Sequence, residues 1–143
     1  MTKSELRKIY KQKRAELSPA AKERLEDLML IQFQSLRLEI QDMVMTYSPI
    51  EALNEYSPVL IEEYCFFKNP ATTLVYPVID SVNNNLKAVA VKEDTLFELN
   101  AYESEEPMNG KETLPEAIGL MIVPLLAFNA GGHRVGYGKG YYD

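Results

Sequence analysis

Apolar positions recur every three or four residues over the first quarter of the chain and gather into short runs thereafter. Leu6, Ile9 and Leu17, with Lys13 between them, fall at helical spacing, and Thr2 followed by Glu5 has the form of a capping box. A first helix is therefore predicted from Thr2 onward. Ser18-Pro19 ends it and opens a second, with serine as the cap and proline in the first turn. Leu25, Leu28, Met29, Phe33 and Leu36 give that second helix an apolar stripe. Residues 43–47 are short, apolar and β-prone and stop at Ser48-Pro49, which predicts a buried strand running into a loop. Ser57-Pro58 repeats the cap-and-proline signal before a third helix at 59–67. Strands are predicted at 72–78 and, past turn residues at 80–85, at 86–91, the latter alternating enough to expose one face. Pro107, Gly110 and Pro115 mark 100–116 as a long loop. Residues 118–123 are nearly all apolar, as suits a strand covered on both faces.

The predicted order is helix, helix, strand, helix, strand, strand, loop, strand, glycine-rich loop. Such alternation indicates an α/β sheet with helices packed on it. At 143 residues the chain reads as a single domain, 1–143, without internal repeats. No apolar run approaches the ~18–20 residues needed to cross a bilayer, and the charged start lacks a signal core. Cys65 is the sole cysteine, so no internal disulfide forms. A cytoplasmic protein that binds neither membrane nor nucleic acid is expected.

Charge sharpens this picture. The net charge is −6, yet residues 1–24 hold eight basic side chains against three acidic ones, a local balance of +5. A solvated helix face explains such a cluster, and so does a face that meets a polyphosphate. A second feature bears on that choice. Five of the seven glycines, Gly131, Gly132, Gly136, Gly138 and Gly140, lie within ten residues just after the last strand, with Arg134 and Lys139 among them. Glycine lets backbone approach a ligand closely, and successive N–H groups form a concave anion site. Ligands of α/β sheets gather at the carboxyl ends of strands, where this loop falls. The spacing matches neither the dinucleotide fingerprint nor the Walker pattern. Phosphate binding is the chemistry indicated. Asp143, beside these cations, is placed to hold Mg²⁺ together with phosphate oxygens. His133 is the only histidine, which removes the usual His/Cys zinc site.

The run 123–129, Val-Pro-Leu-Leu-Ala-Phe-Asn, followed by Gly132-His133-Arg134-Val135-Gly136-Tyr137-Gly138-Lys139-Gly140-Tyr141-Tyr142-Asp143, closely resembles the signature of the 5-formyltetrahydrofolate cyclo-ligase family. Lys3-Ser4-Glu5-Leu6-Arg7, leading through Arg14 to Leu17-Ser18, resembles the family's amino-terminal helix, and Tyr76-Pro77-Val78 and Glu106-Pro107 are weaker echoes. The resemblance implies a three-layer α/β/α fold with a mostly parallel sheet. It also implies ATP- and Mg²⁺-dependent closure of 5-formyltetrahydrofolate to 5,10-methenyltetrahydrofolate. By the same resemblance Lys3, Ser4, Glu5, Leu6 and Arg7, together with Arg134, Val135, Gly136, Tyr137, Gly138, Lys139, Gly140, Tyr141 and Tyr142, contact ATP. Tyr137, Gly138, Lys139, Gly140 and Tyr141 also face the folate, Arg134 and Lys139 act on the transferring phosphoryl group, and Asp143 ligates the metal. A monomer is expected.

Two departures accompany the match. The family offers a glutamate to the folate after its first strand, and ungapped alignment puts Leu53 there, so Glu51 or Glu55 has to serve instead. Family members also continue past Tyr-Tyr-Asp with a further helix, a strand and a second metal ligand, so the sequence is read as C-terminally truncated. A non-catalytic nucleotide- or folate-binding relative is the alternative function. A sugar-phosphate enzyme on a similar fold is a third, since fold does not fix chemistry.

Overall fold

The computed structural model describes residues 1–138, 141 and 142. Helix α1 (Lys3–Ala15) begins with the capping box: Thr2 Oγ1 accepts from the Glu5 amide at 3.1 Å, and Glu5 Oε2 accepts from the Thr2 amide at 2.7 Å. Helix α2 (Pro19–Ser35) starts as predicted from its cap, with Ser18 Oγ accepting from the Ala21 amide. Strand β1 (Met43–Met45) leads to a short 3₁₀ turn, Glu51–Leu53, and then to α3 (Val59–Lys68). There follow β2 (Thr73–Asp80), β3 (Asn85–Ala90), β4 (Phe97–Leu99), β5 (Glu105–Pro107), β6 (Lys111–Glu112), β7 (Leu120–Met121), β8 (Ala127–Phe128) and β9 (Arg134–Val135).

Among the described residues five strands form the main sheet, in the order β6-β3-β2-β1-β7. β1 runs parallel to both β2 and β7, while β3 is antiparallel to β2 and to β6. Four of the five strands thus share one direction, and β3 alone opposes them. The pleat divides the core. Val44 packs with Ile40 and Cys65, alongside Phe33 of α2 and Ile61 of α3, so these two helices cover one face. On the other face Met45, Val75 and Ala88 pack together, and Tyr142 lies against them. Helix α1 stands against β8, β9 and the Glu51–Leu53 turn.

Two expectations need correction. Residues 118–123 are not a strand covered on both faces. Among the described residues β7 pairs with β1 alone, and Met121 is 45% exposed. Apolar composition reports a tolerance for burial, not the number of neighbours. Residues 100–116 are not one irregular loop either. They include β5, paired with β4, and β6, paired with β3, because Glu105–Pro107 and Lys111–Glu112 find partners remote in sequence. The stripe of α2 is also shallow: Phe33 reaches the core, whereas Leu28 and Leu36 remain 47% and 63% exposed.

Candidate functional site

A cavity of about 450 Å³ opens at the carboxyl ends of the parallel strands, bounded by Tyr47 and Ser48 after β1, Pro77 and Ile79 of β2, and Val123 and Pro124 after β7. Since β2 and β7 flank β1 on opposite sides, the chain changes direction at this point, and such a crevice is where ligands enter open α/β sheets. One wall is α1. Lys3, Arg7 and Lys11 line the cavity from it, because residues four apart share a helix face. The facing wall is the glycine segment: Arg134, Val135, Gly136, Tyr137, Gly138, Tyr141 and Tyr142.

Local chemistry builds that segment. β8 and β9 form a ribbon whose turn is organised by Asn129, with Oδ1 accepting from the amides of Gly131 and His133. The ribbon presents Arg134, whose Nη2 donates to the Tyr142 carbonyl at 3.1 Å. Arg7 Nε donates to the Gly136 carbonyl at 3.0 Å and so ties α1 to the loop. Tyr102, from the turn between β4 and β5, meets Tyr141 edge to face, with ring centroids 6.3 Å apart. His133 is exposed in the turn and does not line the cavity.

Behind this wall lies a buried polar network that sequence reasoning did not find. Arg14 is only 6% exposed, and its Nε and Nη1 donate to the carbonyls of Leu53 and Leu125. Its Nη2 donates to the Tyr137 hydroxyl. That hydroxyl in turn donates to Glu55 Oε2 at 2.6 Å, and Glu55 Oε1 accepts from the Ile50 amide at 3.2 Å. Burial raises the Glu55 carboxyl above its ordinary pKa, opposed by the hydrogen bond from Tyr137. Burial likewise pushes the phenols of Tyr47, Tyr137 and Tyr142 upward, reinforced by the nearby Glu55. These tyrosines are therefore neutral donors with apolar rings. The available signal was Arg14 standing two turns from Arg7 on the inward side of α1.

Of the candidate residues, Lys3, Arg7, Arg134, Val135, Gly136, Tyr137, Gly138, Tyr141, Tyr142 and Glu55 meet at this cavity. Ser4, Glu5 and Leu6 do not line it, and Glu5 is engaged as the helix cap. Glu51 belongs to a neighbouring hollow with Glu62, Glu103 and Glu105. Lys139, Gly140 and Asp143 lie outside the described residues. Lys11 is an addition, revealed by its place one turn beyond Arg7. Among the described residues the lining holds four cations and one carboxylate, Glu55, so a chain that is acidic overall presents a cationic cavity.

Comparison with known proteins decides the family. The 5-formyltetrahydrofolate cyclo-ligase family model matches residues 1–143. The chain belongs to this family. A 5-formyltetrahydrofolate cyclo-ligase of Mycoplasma genitalium is 30% identical over 141 residues, covering 99% of this chain and 74% of the relative. The Mycoplasma pneumoniae cyclo-ligase is 29% identical over 146 residues, covering 76% of its length. The solved 5,10-methenyltetrahydrofolate synthetase of Aquifex aeolicus superposes with a TM-score of 0.79 at 29% identity, covering 99% of this chain and 70% of that one. Mixed α/β architecture with a mostly parallel sheet is thus common to the cyclo-ligase family and this member of it, and the family makes it a folate-handling ligase.

Proposed function

We propose that this cyclo-ligase couples ATP to closure of 5-formyltetrahydrofolate, giving 5,10-methenyltetrahydrofolate, ADP and phosphate. The observation behind the reading is the convergence of Lys3 and Arg7 from one wall and Arg134 from the other on one cavity at the strand ends, which tyrosine rings also line. In this scheme the γ-phosphoryl group transfers to the formyl oxygen, N10 attacks the activated carbon, and the C–O bond breaks as phosphate departs with its electron pair. The N10 proton is lost to solvent. The chain's part is to bind and orient. Lys3, Arg7 and Arg134, with Lys139, stabilise charge that develops on the phosphoryl oxygens. The rings of Tyr47, Tyr137, Tyr141 and Tyr142, with Ile50, Leu53 and Ile79, offer the flat apolar surface a pterin and its aryl group require.

Magnesium enters the proposal through Asp143. Among the described lining residues the only carboxylate is Glu55, and both of its oxygens are engaged within the protein. Bound Mg²⁺ neutralises phosphate charge. The protein is proposed to work as a monomer in the cytoplasm.

The test is absorbance of the methenyl product after mixing the folded protein with ATP, Mg²⁺ and 5-formyltetrahydrofolate. The reading is sunk by a folded protein that neither forms product nor binds ATP. The second reading, a binding protein without turnover, is favoured by Glu55, which is held by Tyr137 instead of facing a folate. Calorimetry separates the two, since that version binds ligand and yields no product.

A further inference from the structure

Arg14 is the only buried residue of α1, and it is a cation. Such a group is tolerated only when its donors are satisfied. Here the partners come from three separate segments: Leu53 in the 3₁₀ turn, Leu125 before β8, and Tyr137 in the glycine segment. No ion pair joins Arg14 to Glu55 directly; the phenol oxygen stands between them, accepting from one and donating to the other. That arrangement fixes the direction of the hydroxyl proton, because a carboxylate only accepts and a guanidinium only donates. Asn54 sets the far end. It sits at φ +52°, and its Nδ2 donates to the carbonyls of Arg14 and Leu17, so the turn bearing Glu55 is registered against the end of α1.

We infer that Arg14 and Glu55 are positioning residues that hold Tyr137 from opposite sides and so set the glycine segment at its working distance from Lys3 and Arg7. Glu55, on this account, serves the loop and not the folate. The inference goes beyond the proposed reaction and rests on it only for the ligand arm of the test below. A charged acceptor across a neutral phenol is worth more than a neutral pair, and losing one member leaves the other buried and unsatisfied. The consequence is non-additivity: once one contact is gone, removing the second costs little more.

The experiment uses chymotrypsin on the whole chain. It follows cleavage after residue 137 relative to cleavage after Phe67, which is 81% exposed at the end of α3 and remote from the network. Arg14→Lys, Tyr137→Phe and Glu55→Leu are each expected to raise that ratio about tenfold or more. Glu55→Gln, which keeps an acceptor for the hydroxyl without its charge, is expected to rescue most of the increase seen in Glu55→Leu. Arg14→Lys combined with Glu55→Leu is expected to match the worse single variant. Unchanged ratios, additive increases, or failure of Glu55→Gln to rescue would overturn the clamp. The second arm measures ATP affinity by calorimetry, with a loss of about tenfold expected for Arg14→Lys. If the wild-type chain binds no ATP while the cleavage ratios behave as stated, the functional reading fails and the clamp stands. If ATP binds and the ratios do not move, the clamp fails alone.

Discussion

Three glycines of the closing segment offer the same substitution in three graded environments. A Cβ at Gly136 meets nothing within 4 Å, and its φ is not positive. One at Gly132 also meets nothing, but φ is +84°. One at Gly138 combines φ +89° with an approach of 3.1 Å to Arg7 Cζ. Alanine at 136 should therefore be neutral or stabilising by about 0.4–1 kcal/mol, through the entropy of the unfolded chain. At 132 the left-handed backbone costs about 1–2 kcal/mol for a residue with a Cβ. At 138 the same cost is joined by a shift of the Arg7 guanidinium, which weakens its charged hydrogen bond to the Gly136 carbonyl, a cost of up to about 1.5 kcal/mol in its half-buried setting. The predicted order of melting temperature is Gly136→Ala at or above wild type, Gly132→Ala lower by about 3–6 °C, and Gly138→Ala lower still, by up to about 10 °C, taking roughly 3 °C per kcal/mol for this size. Thermal unfolding by circular dichroism reads all three. ATP affinity should fall furthest in Gly138→Ala, because only there does a wall cation move. Melting of Gly138→Ala together with Gly132→Ala would refute the reasoning, since Arg7 would then have yielded without cost.

Further outcomes follow from groups elsewhere. Glu62 is 9% exposed, accepts from Thr46 Oγ1 at 2.9 Å, and has its pKa raised by burial and then by Glu63. Its contribution to stability is complete below the ordinary glutamate pKa and is lost as pH rises through the folded value. Glu62→Gln should therefore gain on wild type as pH climbs, measured as a melting-temperature difference larger at pH 8 than at pH 4; a constant or shrinking difference counts against it. Cys65 is fully buried with its thiol pKa raised by burial, so a disulfide reagent should react with the folded protein at least a hundredfold more slowly than with the denatured chain, roughly the suppression that an opening cost of about 3 kcal/mol imposes. A rate close to that of the denatured chain would show an accessible thiol. Lys139→Ala is predicted to lower turnover at least tenfold with a melting temperature within about 2 °C of wild type, and equal losses in both would remove its proposed role.

Helix starts were legible because caps are local: Thr2 with Glu5 and Ser18 with Pro19 mark α1 and α2, whereas α3 is capped one residue later than Ser57-Pro58 predicts, at Pro58 and without a side-chain cap, although Ser57 Oγ accepts from the Val59 amide. The strands β1 to β3 were legible from their apolar runs. What escaped was set by partners distant in the chain. β5 and β6 are two or three residues each and exist only through pairing with β4 and β3. Met121 is 45% exposed although its strand is apolar, because what covers a sheet face is supplied by other segments. The choice between Glu51 and Glu55 was open in the sequence, and a left-handed Asn54 turns the two into separate hollows. Arg14 looked like one more surface cation in a basic helix. Its burial depends on carbonyls 39 and 111 residues away.

The bond between Arg7 and Gly136 spans 129 positions, and those from Arg14 to Leu125 and Tyr137 are nearly as long-ranged. During synthesis the basic helix therefore emerges long before anything it can grip, and closing so long a loop is entropically slow. Binding competence is thus a late event in the life of each molecule. A ligand that needs both walls recognises only chains that have finished folding, and by mass action it adds its stabilisation to those alone.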